Sequence, residues 1–136
     1  MVPPPMLMLM PDDPALDAAM RKAAVVWITV PGAHGFPVWP LWHDGALHVL
    51  HGGGEQAAPG LSGSDIVTVA VPAKGARELL ATFLARVEAV DPESVEWATV
   101  TPLLLPKRLN LRDPATAVAR WAAESSVSTL VPIGPP

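Results

Sequence analysis

The chain has 136 residues, is half hydrophobic and 16% charged, and carries a formal net charge of −4. That length fits one compact domain with a real core; the hydrophobic fraction argues against disorder, and the acidic balance excludes a basic nucleic-acid footprint. Having no cysteine, it can form no disulfide, thiolate nucleophile or Cys-ligated zinc site, and apolar runs such as Ala23–Val30 fall well short of the ~20 residues of a membrane span. Residues 1–13 open MVPPPMLMLMPDD; prolines interrupt them and no basic residue leads them, so they read as an extended arm rather than a signal peptide. A cytoplasmic protein with a single domain over 14–136 is the expectation.

Three Asp-Pro pairs mark helix starts, because Asp caps the first turn and Pro suits the first helical position. They predict helices from Pro14 to about Ala24, from Pro92 with a kink or end near Pro102, and from Pro114 to about Glu124. The last carries Ala117, Val118, Trp121 and Ala122 as an apolar stripe. Between the first two helices the period becomes that of strands: Val25–Val30, Val38–His43, Ala46–His51 and Ile66–Val71, with a final strand at Ser126–Ile133. Residues 78–90 fit a helix through Leu80, Phe83, Leu84 and Val87, and alternate as well through Leu79, Ala81, Phe83, Ala85 and Val87; pattern slightly favours helix.

Asp44-Gly45 suits a two-residue hairpin turn with positive φ at both positions. It pairs His43 with Ala46, Leu41 with His48 and Trp39 with Leu50. Val38, Pro40, Trp42, Leu47, Val49 and His51 then share a nearly apolar face, the better core candidate. Trp39, Leu41, His43, Ala46, His48 and Leu50 share the other, which suits a ligand groove, a subunit interface or an ordinary outer face.

Catalytic motifs are few. His34, His43, His48 and His51 lie close together without HExxH-like spacing, so no metal site is expected. Gly60-Leu61-Ser62-Gly63 lacks the spacing of a nucleophile elbow, and no GxGxxG or Walker motif occurs. Gly52-Gly53-Gly54 is a flexible connector or a phosphate nest, and Gln56 bonds a heterocycle edge or caps the loop. Lys107 and Arg108 suit a helix C-terminus. Trp97 and Trp121 read as core or interface residues.

A helix, VVWITV, GFPVWPLW-DG-ALHVLHGGG and IVTVAV come one after another in an order that resembles the split-barrel flavin-binding family typified by pyridoxamine 5′-phosphate oxidase. Gly35-Phe36-Pro37-Val38-Trp39-Pro40 and Asp44-Gly45 match its G-x-P-x-x-x-P strand and D-G hairpin in kind, and residues 96–122 resemble the helical tail of a small bacterial branch. The resemblance covers residues 14–133. It implies a small antiparallel split β-barrel with flanking helices, a strand at 78–90, a homodimer with flavin at the interface, and an oxidoreductase using flavin mononucleotide (FMN). The ring would lie along Trp39, Pro40 and Leu41, and the phosphate near Leu50, His51, Gly52, Gly53 and Gln56, with no catalytic side chain assigned. The chain departs from the family in having no Lys or Arg between Lys22 and Lys74, with Glu55 where a cation is expected. Glycine amides, Lys74, Arg77, Lys107 or Arg108 would have to compensate. The alternatives are a split barrel holding a deazaflavin or haem, or a dimeric scaffold with an empty groove.

Overall fold

A computed structural model describes residues 7–8, 13–72, 79–108 and 113–136. Its strands are β1 (Leu7–Met8), β2 (Val26–Thr29), β3 (Phe36–Val38), β4 (Leu41–His43), β5 (Ala46–His51), β6 (Ile66–Pro72), β7 (Leu79–Ala89) and β8 (Ser126–Gly134). The helices are α1 (Pro14–Lys22), α2 (Val95–Leu104) and α3 (Pro114–Glu124). Seven strands form one sheet in the order β3-β2-β6-β7-β8-β5-β4, all neighbours antiparallel. β1 pairs in parallel with the start of β7, alongside the stretch that β8 does not reach.

The connection between β3 and β4 dictates the curl of this sheet. These strands are its two edges, yet only Trp39 and Pro40 separate them. Two intervening residues hold Val38 and Leu41 within about 11 Å of each other. The edges of a flat seven-stranded sheet would lie about 29 Å apart. The sheet must therefore roll up on itself, giving the split antiparallel barrel with helices outside that the family resemblance implies.

Alternation sorts the side chains between two cores. Inside the barrel, Val26 and Ile28 of β2, Val67, Val69 and Val71 of β6, and Ala81, Phe83 and Ala85 of β7 meet Leu47, Val49 and Leu130. Leu16 and Met20 of α1, four residues apart on one helical face, join this cluster. Asp17 on the same helix accepts from Trp42 Nε1 at 2.8 Å and from Arg21 Nε at 2.6 Å, tying α1 to β4. Outside the barrel, Leu41, Leu50 and Val127 lie under Trp97, Val100 and Leu104 of α2 and Ala117 and Trp121 of α3.

The three Asp-Pro pairs have three outcomes. Asp13 caps α1 as expected, its carboxylate accepting from the Ala15 amide at 2.8 Å. Asp91 caps only a preceding turn through the Glu93 amide, and α2 starts at Val95 with Ser94 as its cap. Asp113 adopts φ 53° and makes no capping bond. α2 also runs through Pro102 to Leu104 rather than ending there; Pro102 and Ala98, whose carbonyl it leaves without an amide partner, both sit on the exposed side, where water can serve instead. Residues 78–90 contain the long strand β7, as the family resemblance implies and against the slight helical preference of the pattern. Among the described residues no helix is long and apolar enough to cross a membrane.

Candidate functional site

The hairpin forms in the expected register, with Leu41 opposite His48, Trp42 opposite Leu47 and His43 opposite Ala46. Asp44 and Gly45 both have positive φ, 51° and 74°. Pairing stops before Trp39 and Leu50. There the Gln56 side chain takes the place of a strand. Its Oε1 accepts from the Trp39 amide at 2.6 Å, while Nε2 donates to the carbonyls of Trp39 at 3.2 Å and Leu50 at 3.1 Å. Both amide protons of Gln56 are thus committed to backbone.

A cavity of 460 Å³ opens beside this latch, lined by Ala23, Ala24, Trp39, Pro40, Pro106, Lys107 and Arg108. It joins the Trp39-Pro40 crossing to the segment just after α2. Arg108 Nε donates to Glu55 Oε1 at 2.6 Å, across 53 positions of sequence. Glu55 and Gln56, adjacent on one loop, therefore each hold a residue of the lining: Glu55 holds Arg108 and Gln56 holds Trp39. The loop itself is closed by bonds from the Gly52 amide to the Gln56 carbonyl (2.9 Å) and from the Glu55 amide to the Gly52 carbonyl (3.0 Å).

The residues named from sequence divide accordingly. Trp39 and Pro40 line the cavity, Gln56 braces it, and Leu50 contributes its carbonyl to the brace. Leu41 and the Leu50 side chain are instead buried under α2 and α3. His51 is buried, with Nε2 2.9 Å from Ser128 Oγ. Gly52 and Gly53 serve the turn: Gly52 accepts from Ser125 Oγ at 2.9 Å, and Gly53 packs where a Cβ would strike the Glu124 carbonyl. Ala23, Ala24 and Pro106 carry no chemical signal in the sequence. Arg108 was visible as a cation, but its arrival at Glu55 is a tertiary event. Lys74 and Arg77 lie outside the described residues.

The hairpin's other face is covered by helices rather than open as a broad groove. What remains is a cavity of 340 Å³ bordered by His43, Asp44, His48, Val95, Glu96 and Thr99. Thr129 Oγ1 donates to Glu96 Oε1 at 2.7 Å and so accepts from His48 Nδ1, 3.0 Å away. That network assigns the Nδ1 proton. Burial lowers the pKa of His48, against the raising influence of the His43 carbonyl and the Glu96 charge; burial alone lowers that of His51. Among the described residues no three His, Cys, Asp or Glu converge to hold a metal ion.

These two depressed pKa values make a stability prediction. Unfolding releases both rings to an ordinary pKa of about 6.5, so the unfolded chain takes up more protons as pH falls. Stability contributed by the neutral rings is complete above about pH 6.5 and is lost as pH falls towards their folded pKa values, at up to about 1.4 kcal/mol per pH unit per ring. Urea midpoints measured from about pH 7.5 to 5 should fall across this window. A smaller slope in His51→Gln is expected; an unchanged slope in that variant would remove His51 from the account.

No family model matches this sequence, and no curated protein is significantly similar to it. Solved structures are. The heme storage protein HutZ from Vibrio cholerae superposes with a TM-score of 0.61 at 15% identity, over 91% of each chain. A Bacteroides thetaiotaomicron protein described as a 5-nitroimidazole antibiotic resistance protein gives 0.60 at 13% identity, over 93% of this chain and 82% of its own. A Listeria innocua protein assigned as a pyridoxamine 5′-phosphate oxidase gives 0.56 at 16% identity, over 86% of this chain and 90% of its own. The chain therefore has the split-barrel fold of the pyridoxamine 5′-phosphate oxidase-like proteins.

Proposed function

We propose that this protein binds a flavin-type cofactor, FMN or a close relative, in the Trp39–Arg108 cavity and acts as a flavin-dependent oxidoreductase. The observation that carries this reading is the lining of the cavity: Trp39 and Pro40 offer an apolar wall for a planar ring, beside the Arg108–Glu55 pair and the exposed Lys107. Its 460 Å³ lies within the usual range for cofactor sites. A bound flavin supplies the redox chemistry; this chain's share is to position the ring and exclude water from it. The fold supports the reading, since a similar barrel occurs in a protein assigned as a pyridoxamine 5′-phosphate oxidase.

A homodimer belongs to the same proposal. The outer face of β2 and β6 leaves Trp27 44% and Ile66 43% exposed, an apolar surface on which a second copy would pack. Sedimentation of the sample used for ligand titration reads this part.

Titration with FMN and with riboflavin, followed by tryptophan and flavin fluorescence, tests the ligand. Saturable quenching is expected, with Trp39→Ala weakening it by ~10-fold through loss of ring contact. No saturation by either flavin would overturn the reading. Because HutZ shares the fold and is a heme storage protein, the same protein should be incubated with haem. A Soret band without flavin binding would replace flavin by haem, with His43 on the rim of the second cavity the first ligand to substitute.

A further inference from the structure

We propose that Glu55 sets the ligand preference of the Trp39–Arg108 cavity: its carboxylate competes with a ligand's phosphate for Arg108, so the cavity favours planar aromatic ligands that carry no phosphate dianion. The proposal rests on the flavin reading above and specifies which form of that ligand class the site takes.

Three observations lead to it. First, the Arg108 charge is matched before any ligand arrives. Glu55 accepts from its Nε at 2.6 Å, and the two side chains are only 9% (Glu55) and 31% (Arg108) exposed. A carboxylate so far from water keeps its cation, because parting them leaves an uncompensated buried charge. Second, the backbone that carries Glu55 is anchored. Its own amide is bonded to the Gly52 carbonyl, and the next residue, Gln56, is pinned to Trp39 and Leu50 by three bonds. A phosphate drawn to Arg108 therefore meets the carboxylate already paired with it. Third, the other cation on the rim, Lys107, is exposed, and an exposed charge is screened by salt. The ring end of a ligand meets none of this opposition, since Ala23, Ala24, Trp39 and Pro40 are uncharged.

Riboflavin and FMN share a ring system and differ by the phosphate, so comparing them isolates its contribution. In the unmodified protein riboflavin is expected to bind more tightly than FMN, by about threefold. Glu55→Gln keeps the side-chain volume and an acceptor oxygen for Arg108 but removes the charge. It should tighten FMN by ~10-fold, the scale of one charge-assisted hydrogen bond, and leave riboflavin unchanged. Adding Arg108→Gln to that variant should abolish the gain. Equal binding of the two flavins, or any preference for FMN, in the unmodified protein would overturn the proposal without any variant being made. So would weaker FMN binding by Glu55→Gln, which would make Glu55 a residue that aims Arg108 at the phosphate. If riboflavin binds and Glu55→Gln changes nothing, the flavin reading stands and this proposal falls; if neither flavin binds, both fall.

Discussion

Replacing Gly53 by alanine is expected to lower the thermal unfolding midpoint by about 10–15 °C, which for a domain of this size corresponds to about 3–5 kcal/mol. Gly53 has φ 58°, where a Cβ costs of order 1–3 kcal/mol by itself. Here that Cβ would also fall on the Glu124 carbonyl and lie 2.9 Å from Ser125 Oγ, at the end of α3. Backbone cannot yield as a flexible side chain does, so the loop or the helix end must move. Gly54→Ala is the control. Its φ is 90°, but nothing lies within 4 Å of the added Cβ, so only the conformational cost remains, about 1–2 kcal/mol. Differential scanning calorimetry on the two variants separates the terms. Equal losses would mean that the approach to α3 carries no energy.

The second large effect concerns Gln56. Gln56→Leu keeps roughly the same volume and removes all three bonds to Trp39 and Leu50. Each such bond contributes about 0.5–1.5 kcal/mol, and backbone groups left unpaired in a part-buried site cost more, so a loss of about 2–4 kcal/mol is expected. The urea midpoint should fall with an unchanged m-value, since the surface exposed on unfolding is the same. Flavin binding should weaken as well, because the latch places Trp39. A loss below about 0.5 kcal/mol would show that water replaces the amide without cost.

What could be read in the sequence was whatever is decided over a few residues. Asp44-Gly45 fixed the hairpin register, and alternation chose the face that enters the barrel, because both depend on neighbours along the chain. β7 was ambiguous for a physical reason. Its inward row includes Ala81 and Ala85, weak hydrophobic markers, whereas Leu84, which completed a helical stripe, is only half-buried. The Asp-Pro pairs show the same limit. The dipeptide caps α1, defers to Ser94 before α2, and turns left-handed without a capping bond before α3, so its outcome depends on its surroundings. Least legible was the candidate site. Trp39 and Pro40 were singled out through the family resemblance, but the covering of Leu41 and Leu50 by α2 and α3, and the meeting of Glu55 with Arg108, join segments far apart in the chain.

The position of β8 carries a consequence for how the molecule is made. It lies between β7 and β5, so among the described strands it alone joins the four-stranded group β3-β2-β6-β7 to the β5-β4 hairpin by strand pairing. A ribosome that has reached α3 has produced every other described strand, yet these strands can pair only as two separate sheets with open edges at β7 and β5. Such edges invite pairing with other chains. Barrel closure is thus postponed until residues 126–134 emerge, and the interval before then is when this chain most needs protection.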